Sequence, residues 1–405
     1  MSKAPLPFEV DARTSGGLLG MPAAQFLRNY WQKRPLLIRN AFPDFESPLQ
    51  PEDLAGLACE EIALSRLIRH DRSRDGWQVE TGPFDEEMFP GLGDRDWTLL
   101  VQDVDKWDAD VAALLPHFDF LPRWRIDDIM VSFAATGGSV GAHVDQYDVF
   151  LLQGQGHRRW QIDASDAMGR GVPSQDFRDD VELKLLREFE PTHEWVLGPG
   201  DMLYLPPMVP HHGVAEDPCL TFSVGMRAPS VAELMGDYID TLAAEADESI
   251  RYHDGDLAPQ EDPNEIDADA MARVVEALNV MRMRDPDRLG DWFGSFITGY
   301  RNAHQVVAGG EPPPRIELEW LLSQDQAVLQ RNPFTRMAWR RAQNGARLFA
   351  SGTAWPLPLR DARTLAAEPR LDGRAYAALS DSGRDAVHEL LAQGHYTVLD
   401  ADDAG

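Results

Sequence analysis

The sequence predicts an α+β protein with a mainly β core, a helical middle stretch and a mixed C-terminal module. Three observations carry this reading. Up to about Pro229, short apolar runs alternate with Gly-rich turns. From Ser230 the apolar residues change to helical spacing. The stretch Gly309-Gly310-Glu311-Pro312-Pro313-Pro314 then marks a boundary. At roughly 100–200 residues per domain, a chain of 405 residues accommodates a division into 1–229, 230–310 and 311–405.

In the first segment, strands are expected at Pro35 to Arg39, Asp128 to Phe133, Val149 to Gln153, Arg159 to Ile162, Met202 to Leu205 and Leu220 to Val224. Thr136-Gly137-Gly138, Gly154-Gln155-Gly156 and Gly198-Pro199-Gly200-Asp201 separate them as turns. Many short strands with such turns point to a sandwich or a barrel.

In the second segment, Val231, Leu234, Met235, Tyr238 and Leu242 recur at helical spacing after the start signal Pro229-Ser230. Met271, Val274, Val275 and Leu278 repeat the pattern, and the acidic stretch Asp254 to Asp269 between them reads as a loop. Such amphipathic helices either form a dimer interface or pack on the β core. In the third segment, Arg347 to Trp355 reads as a hairpin, Asp385 to Gln393 as a helix stopped by Gly394, and His395 to Leu399 as a closing strand. A small winged-helix module fits that order.

The chain carries 38 basic and 67 acidic residues, a net charge of −29. This argues against a nucleic-acid binder, which needs a cationic face, and against docking on an anionic membrane. The third segment, with 11 basic and 13 acidic residues, gives DNA binding no electrostatic support. A basic partner or substrate suits the charge better. Cys59 and Cys219 form no motif, which fits a reducing compartment. Met1 to Pro22 has no apolar secretion core and no run approaches a membrane span. A cytoplasmic location is expected.

The informative motif is Gly141-Ala142-His143-Val144-Asp145. In a strand, residues two apart share a face, so His143 and Asp145 can reach one point inside a barrel. A third ligand is available in Gly200-Asp201-Met202-Leu203-Tyr204-Leu205-Pro206-Pro207-Met208-Val209-Pro210-His211. Two His and one Asp form the facial triad of non-haem iron sites and leave open positions for a chelating oxo-acid and dioxygen. An H-x-D alone occurs by chance in many proteins, and the downstream strand and Pro-rich corner supply the specificity. His212 competes with His211, which is favoured because it directly follows Pro210. His193 is a weaker rival, expected to be exposed.

Gly154-Gln155-Gly156-His157-Arg158-Arg159-Trp160 lacks the third Gly and the helix of a dinucleotide loop. It reads instead as a hairpin turn that returns the chain antiparallel to the metal strand. An Arg on the returning strand could grip a far carboxylate bidentately. Alternation permits Arg158 inward with Arg159 outward, or the reverse.

These residues resemble the JmjC-class bacterial ribosomal oxygenases. The matching pieces are Tyr30 to Arg39, Gly141 to Phe150, Arg158-Arg159-Trp160, Gly200 to His211, and Phe222 to Pro229. The resemblance implies a double-stranded β-helix (cupin/JmjC) core, a helical dimerisation segment and a winged-helix-like C-terminal domain. It implies Fe(II) on His143, Asp145 and His211. It implies 2-oxoglutarate as co-substrate with its distal carboxylate on Arg158, and Ser223 as a second contact. The implied reaction consumes dioxygen and hydroxylates the β-carbon of an arginine in large-subunit ribosomal protein sixteen.

One departure from that family lies at Met208, where relatives would carry Gly. A basic ribosomal protein matches the acidic charge, and Asp103, Asp105, Tyr147 and Asp148 are candidates for the rim that meets a guanidinium. Three alternatives remain beside this reading. One is the same chemistry on a histidine or methyl-lysine of another basic protein. The others are a cupin isomerase and a non-catalytic cupin binding module.

Overall fold

The computed structural model describes residues 6–14, 17–165, 176–247, 249, 251–255, 266–280, 286–299, 305–307 and 309–400. The chain divides into two units, Met1–Ala228 and Pro229–Gly405.

The first unit contains strands β1 (Glu9–Asp11), β2 (Leu36–Arg39), β3 (Ser65–Asp71), β4 (Gly76–Thr81), β5 (Trp97–Val101) and β6 (Ile126–Ala134). They are followed by β7 (Val149–Gln155), β8 (Arg158–Ile162), β9 (His193–Leu197), β10 (Met202–Leu205), β11 (His211–Ala215) and β12 (Cys219–Met226). A nine-stranded sheet runs β1-β2-β10-β7-β12-β6-β5-β3-β4, and a smaller one runs β11-β8-β9. Isolated bridges Ser139–Val214 and His143–His211 lay residues 139–143 along the free side of β11. From β6 onward the chain shuttles between the two sheets, which is a double-stranded β-helix.

Alternation along the strands fills two cores. Val149, Leu151, Leu203 and Leu205 pack with Trp160, Ile162, Leu197 and Val209 between the sheets. Their neighbours Phe150, Leu152, Met202 and Tyr204 point the other way, with Phe222 and Val224, into the core that holds Phe26 and Leu54. Those two residues belong to helices Ala23–Asn29 and Pro51–Ala58. Central strands buried on both faces lose the polar alternation of a half-exposed strand and read as continuous apolar runs. Phe26, Phe118, Phe120 and Phe150 form a ring cluster with Trp31 and Tyr204. Each buried ring of this kind contributes about 1.5–3 kcal/mol.

Two local expectations need correction. The turn at 154–157 does not make a hairpin: β7 pairs with β10 and β12, while β8 crosses to the small sheet. There β8 runs antiparallel to β11, which carries His211, rather than to the segment that carries His143. His143 is also not in a continuous strand, because Gly137 and Gly141 take left-handed φ of 79° and 82° and break the segment into single bridges.

In the second unit, helix Val231–Ala244 opens with a reciprocal Ser230–Glu233 capping box, and Ala268–Val280 and Pro286–Thr298 follow. Of the expected acidic loop, residues 256–265 lie outside the described residues. Strands β13 (Ala327–Arg331), β14 (Met337–Ala342), β15 (Gly345–Ala350), β16 (Thr353–Leu357), β17 (Arg370–Leu371) and β18 (Tyr396–Asp400) form two small sheets, β14-β15-β16 and β17-β13-β18. The β15–β16 hairpin turns through Ser351 and Gly352, both at positive φ, as its tight geometry requires. Helix Asp381–Ala392 is capped by Ser380 and stops before Gly394 at φ 83°.

Candidate metal centre

One potential ligand atom from each of His143, Asp145 and His211 lies within 4.8 Å of the others. Among the described residues they are the only such cluster. His143 and His211 face each other through two mutual backbone hydrogen bonds of 3.0 Å. Each ring is oriented by a carbonyl two residues earlier: His143 Nδ1 lies 2.9 Å from the Gly141 oxygen, and His211 Nδ1 2.9 Å from the Val209 oxygen. Donation from Nδ1 leaves each Nε2 lone pair available to a metal. The two Nε2 atoms sit 3.9 and 3.6 Å from the Asp145 carboxylate oxygens. Burial, and next to it His143, push His211 down to about 4, so its imidazole is neutral at physiological pH. Two imidazole nitrogens and a carboxylate oxygen converging on one point suit a divalent borderline ion such as Fe(II).

His212 points away from this cluster. Its ring lies edge-on to Phe189 on the other side of β11, as alternation dictates. His193 is half-buried on β9, packed against Phe8 and Trp195.

Met208 occupies the position that departs from the family pattern, and its φ is +66°. That is the region glycine favours, so Met208 keeps the backbone shape that a Gly would give. Its N–H donates to the Asp145 carbonyl at 2.7 Å.

The alternation left open at Arg158 and Arg159 resolves in space. Arg158 is buried, with Nη1 donating to Ser132 Oγ at 3.2 Å and Thr221 Oγ1 at 3.4 Å. Among the described residues no carboxylate pairs with it, and its buried Nε has no partner. Burial lowers its affinity for the proton. The guanidinium lies over Gly213, where an added Cβ would come within 2.8 Å of Nε and 2.7 Å of the Trp160 ring. A buried, uncompensated guanidinium in a space that a methyl group would fill is suited to an anionic ligand. Arg159 is exposed and pairs with Glu194 and Glu216. Ser223 lies on β12 with the same facing as Thr221, opposite Met130 and Leu151. Ser132 and Thr221 are the contacts that sequence reading missed. Ser132 is the one hydroxyl residue of β6 and Thr221 one of two on β12, each among apolar neighbours, and that was the available signal.

Of the expected rim residues, only Tyr147 is exposed, at 42%. Asp103, Asp105 and Asp148 are buried and serve the fold instead. The Asp103 N–H donates to Asp128, and Asp105 accepts from the Ile129 N–H. Asp148 accepts from Gln32, Tyr204 and Arg125. Asp128, on β6, is buried as well: burial, then Asp103 and Asp127, push it up to about 7. Its charge and that of Asp145 act on the Tyr147 hydroxyl, which is raised by burial first and then by these carboxylates.

A double-stranded β-helix with a His-x-Asp…His cluster and a buried arginine defines the class of cupin-fold 2-oxoglutarate oxygenases. The JmjC domain family matches residues 113–234, and the ROXA-like winged helix matches residues 281–397. The ribosomal protein uL16 3-hydroxylase of Escherichia coli (strain K12) is 40% identical over 292 residues, covering 71% of this chain and 74% of that protein. A probable ribosomal oxygenase of Haemophilus influenzae is 35% identical over 336 residues, covering 81% and 80%. The structure of YcfD, a ribosomal oxygenase from Escherichia coli, in complex with cobalt and 2-oxoglutarate superposes with a TM-score of 0.79 at 34% identity, over 94% of this chain and 99% of that one. The chain belongs to the JmjC ribosomal oxygenase family, with a JmjC cupin core and a ROXA-like winged helix.

Among the described residues, no helix is long and apolar enough to cross a membrane.

Proposed function

We propose that the protein is an Fe(II)- and 2-oxoglutarate-dependent oxygenase that hydroxylates the β-carbon of an arginine in ribosomal protein uL16. The observation that carries this reading is the pairing of the His143, Asp145 and His211 cluster with the uncompensated guanidinium of Arg158 inside one barrel. The relatives at 40% and 35% identity support the ribosomal substrate.

His143, Asp145 and His211 would hold the iron, and Arg158, with Ser132, Thr221 and Ser223 beside it, would hold the distal carboxylate of 2-oxoglutarate. When bound, the iron supplies the oxidative chemistry that activates dioxygen at the expense of the oxo-acid. The chain's own residues do the remaining work. Both imidazoles present Nε2 because their Nδ1 atoms are engaged. Three protein ligands on one side leave the other coordination positions open. Trp160, Ile162 and Leu151 line the interior and keep water from it. Tyr147, exposed two residues beyond Asp145, offers a ring that suits an incoming guanidinium. The net charge of −29 attracts a basic ribosomal protein at long range, less so in salt.

The helical stretch 230–310 is assigned to homodimerisation and 311–405 to a winged-helix-like module without DNA-binding function. Val231, Met235 and Ile239 form an exposed apolar stripe on one helix, and Met271, Val275 and Leu278 form another, which supports the first assignment. The cytoplasm, where ribosomes are met, is the assigned location.

The test is anaerobic loading with Fe(II) and 2-oxoglutarate, then air and recombinant uL16, read by mass spectrometry. A gain of one oxygen on an arginine β-carbon, lost in His143→Ala, is expected. Succinate without that gain would move the substrate elsewhere. No succinate from iron-loaded protein would overturn the enzyme reading in favour of a binding module.

A further inference from the structure

We propose that Asp148 is a positioning residue for the metal site, fixing the loop that aims the Asp145 carboxylate; this rests on the metal role proposed for Asp145. The two histidine ligands are oriented by their own side-chain hydrogen bonds. The Asp145 carboxylate differs. Among the described residues the two imidazoles lie 3.9 and 3.6 Å from it, and no side-chain or backbone group donates a hydrogen bond to it. Its aim therefore depends on where the backbone puts it.

That backbone is held at two points. At Asp145 itself, the carbonyl accepts from the Met208 N–H at 2.7 Å. Three residues on, Asp148 closes the loop. Its carboxylate is fully buried and accepts from the Tyr204 hydroxyl at 2.6 Å, Gln32 Nε2 at 2.9 Å and Arg125 Nη2 at 3.3 Å. Its carbonyl accepts from the Met226 N–H at 2.9 Å.

The donors come from three separate stretches of chain, and each is itself pinned. Gln32 sits at a left-handed φ of 54° with its N–H on the Tyr204 hydroxyl at 2.7 Å. Arg125 also donates to the Arg227 carbonyl at 2.7 Å and lies 5.4 Å over the Trp31 ring. Burying a carboxylate in an aromatic core is costly even when it is bonded, and an apolar side chain would serve packing as well or better. What an apolar residue could not do is tie the loop to three elements at once. The geometry thus couples the N-terminal turn, β10 and the approach to β6 to the placement of one metal ligand.

The experiment is a cobalt(II) titration of the full chain, without 2-oxoglutarate and well below the unfolding temperature. It is followed by calorimetry and by the visible absorption of the bound ion. Wild type is expected to bind one cobalt per chain. Asp148→Asn keeps the side-chain shape and should weaken cobalt binding about 10-fold or more, with a changed absorption band and an unchanged far-UV circular dichroism spectrum. Tyr204→Phe removes one of the three donors and should give a smaller change in the same direction. If Asp148→Asn does not fold, Tyr204→Phe decides the matter alone. Wild-type affinity and spectrum in the folded variants would overturn the proposal and leave Asp148 as a folding residue. Failure of the folded wild type to bind cobalt would instead overturn the metal role of Asp145.

Discussion

Arg158 and Arg159 are adjacent in sequence and opposite in circumstance: one guanidinium is buried without a carboxylate, and the other is exposed between Glu194 and Glu216. A one-residue step along a strand is enough to reverse the face. The buried charge needs an anion to complete it, and the exposed one is already paired.

Arg158→Ala is therefore expected to raise the KM for 2-oxoglutarate about 10- to 100-fold, the worth of charge-assisted hydrogen bonds in a buried site. Gly213→Ala should act in the same direction by filling the space over which the guanidinium lies. Arg159→Ala should stay within about twofold of wild type, as an exposed pair contributes little. Steady-state kinetics with varied 2-oxoglutarate check all three.

Met208 holds a left-handed backbone that costs an L-residue about 1–2 kcal/mol. Met208→Gly removes that cost but adds unfolded-state freedom of about 0.5–1 kcal/mol. Its stability should lie within about 1 kcal/mol of wild type. Met208→Val, with a β-branched side chain, should destabilise by about 1–2 kcal/mol. Denaturant unfolding of the full chain measures both.

Asp128 gives a pH signature. Its carboxyl is raised by burial from 3.8 to about 7. Between those values the folded state keeps a proton that the unfolded state has released. The stabilisation linked to that proton is full below about pH 4 and is lost as pH rises through about 7. Asn at 128 can still accept from the Asp103 N–H without carrying charge. Asp128→Asn should melt a few degrees higher than wild type at pH 8, with a smaller gain at pH 5 that vanishes below about pH 4.

The apolar stripe of Val231, Met235 and Ile239 is up to 72% exposed. Under the dimer assignment, Met235→Glu should convert a particle of twice the chain mass into one of single mass. Light scattering after size-exclusion chromatography reads this, and a monomeric wild type would remove the assignment.

The central barrel was legible in sequence because its strands are apolar on both faces and lie between Gly-marked turns. The clustering of His143, Asp145 and His211 was legible because two short motifs supply all three residues. The β3–β4 edge was not. Ser65–Asp71 and Gly76–Thr81 carry charged residues toward the sheet edge and show no apolar run. The crossing at 154–157 was misread because a Gly-rich turn looks the same whether the chain returns to its own sheet or moves to the facing one. Asp103, Asp105 and Asp148 were misplaced on the rim because burial of a carboxylate depends on donors distant in sequence, here the Asp148 partners Gln32, Arg125 and Tyr204.

The pairing of β8 with β11 also acts as a ruler. His211 stands opposite Ile162 and Ala215 opposite Arg158, so the proposed metal ligand and the proposed anion anchor are four rungs apart, about 14 Å along the strands. Because the guanidinium folds back over Gly213, two of those rungs are already spanned, and about 7 Å remains. A two-residue slip of β8 would keep every inward face inward yet move Arg158 by about 7 Å relative to His211, so under the proposed function the spacing of these two residues resides in the register of two strands.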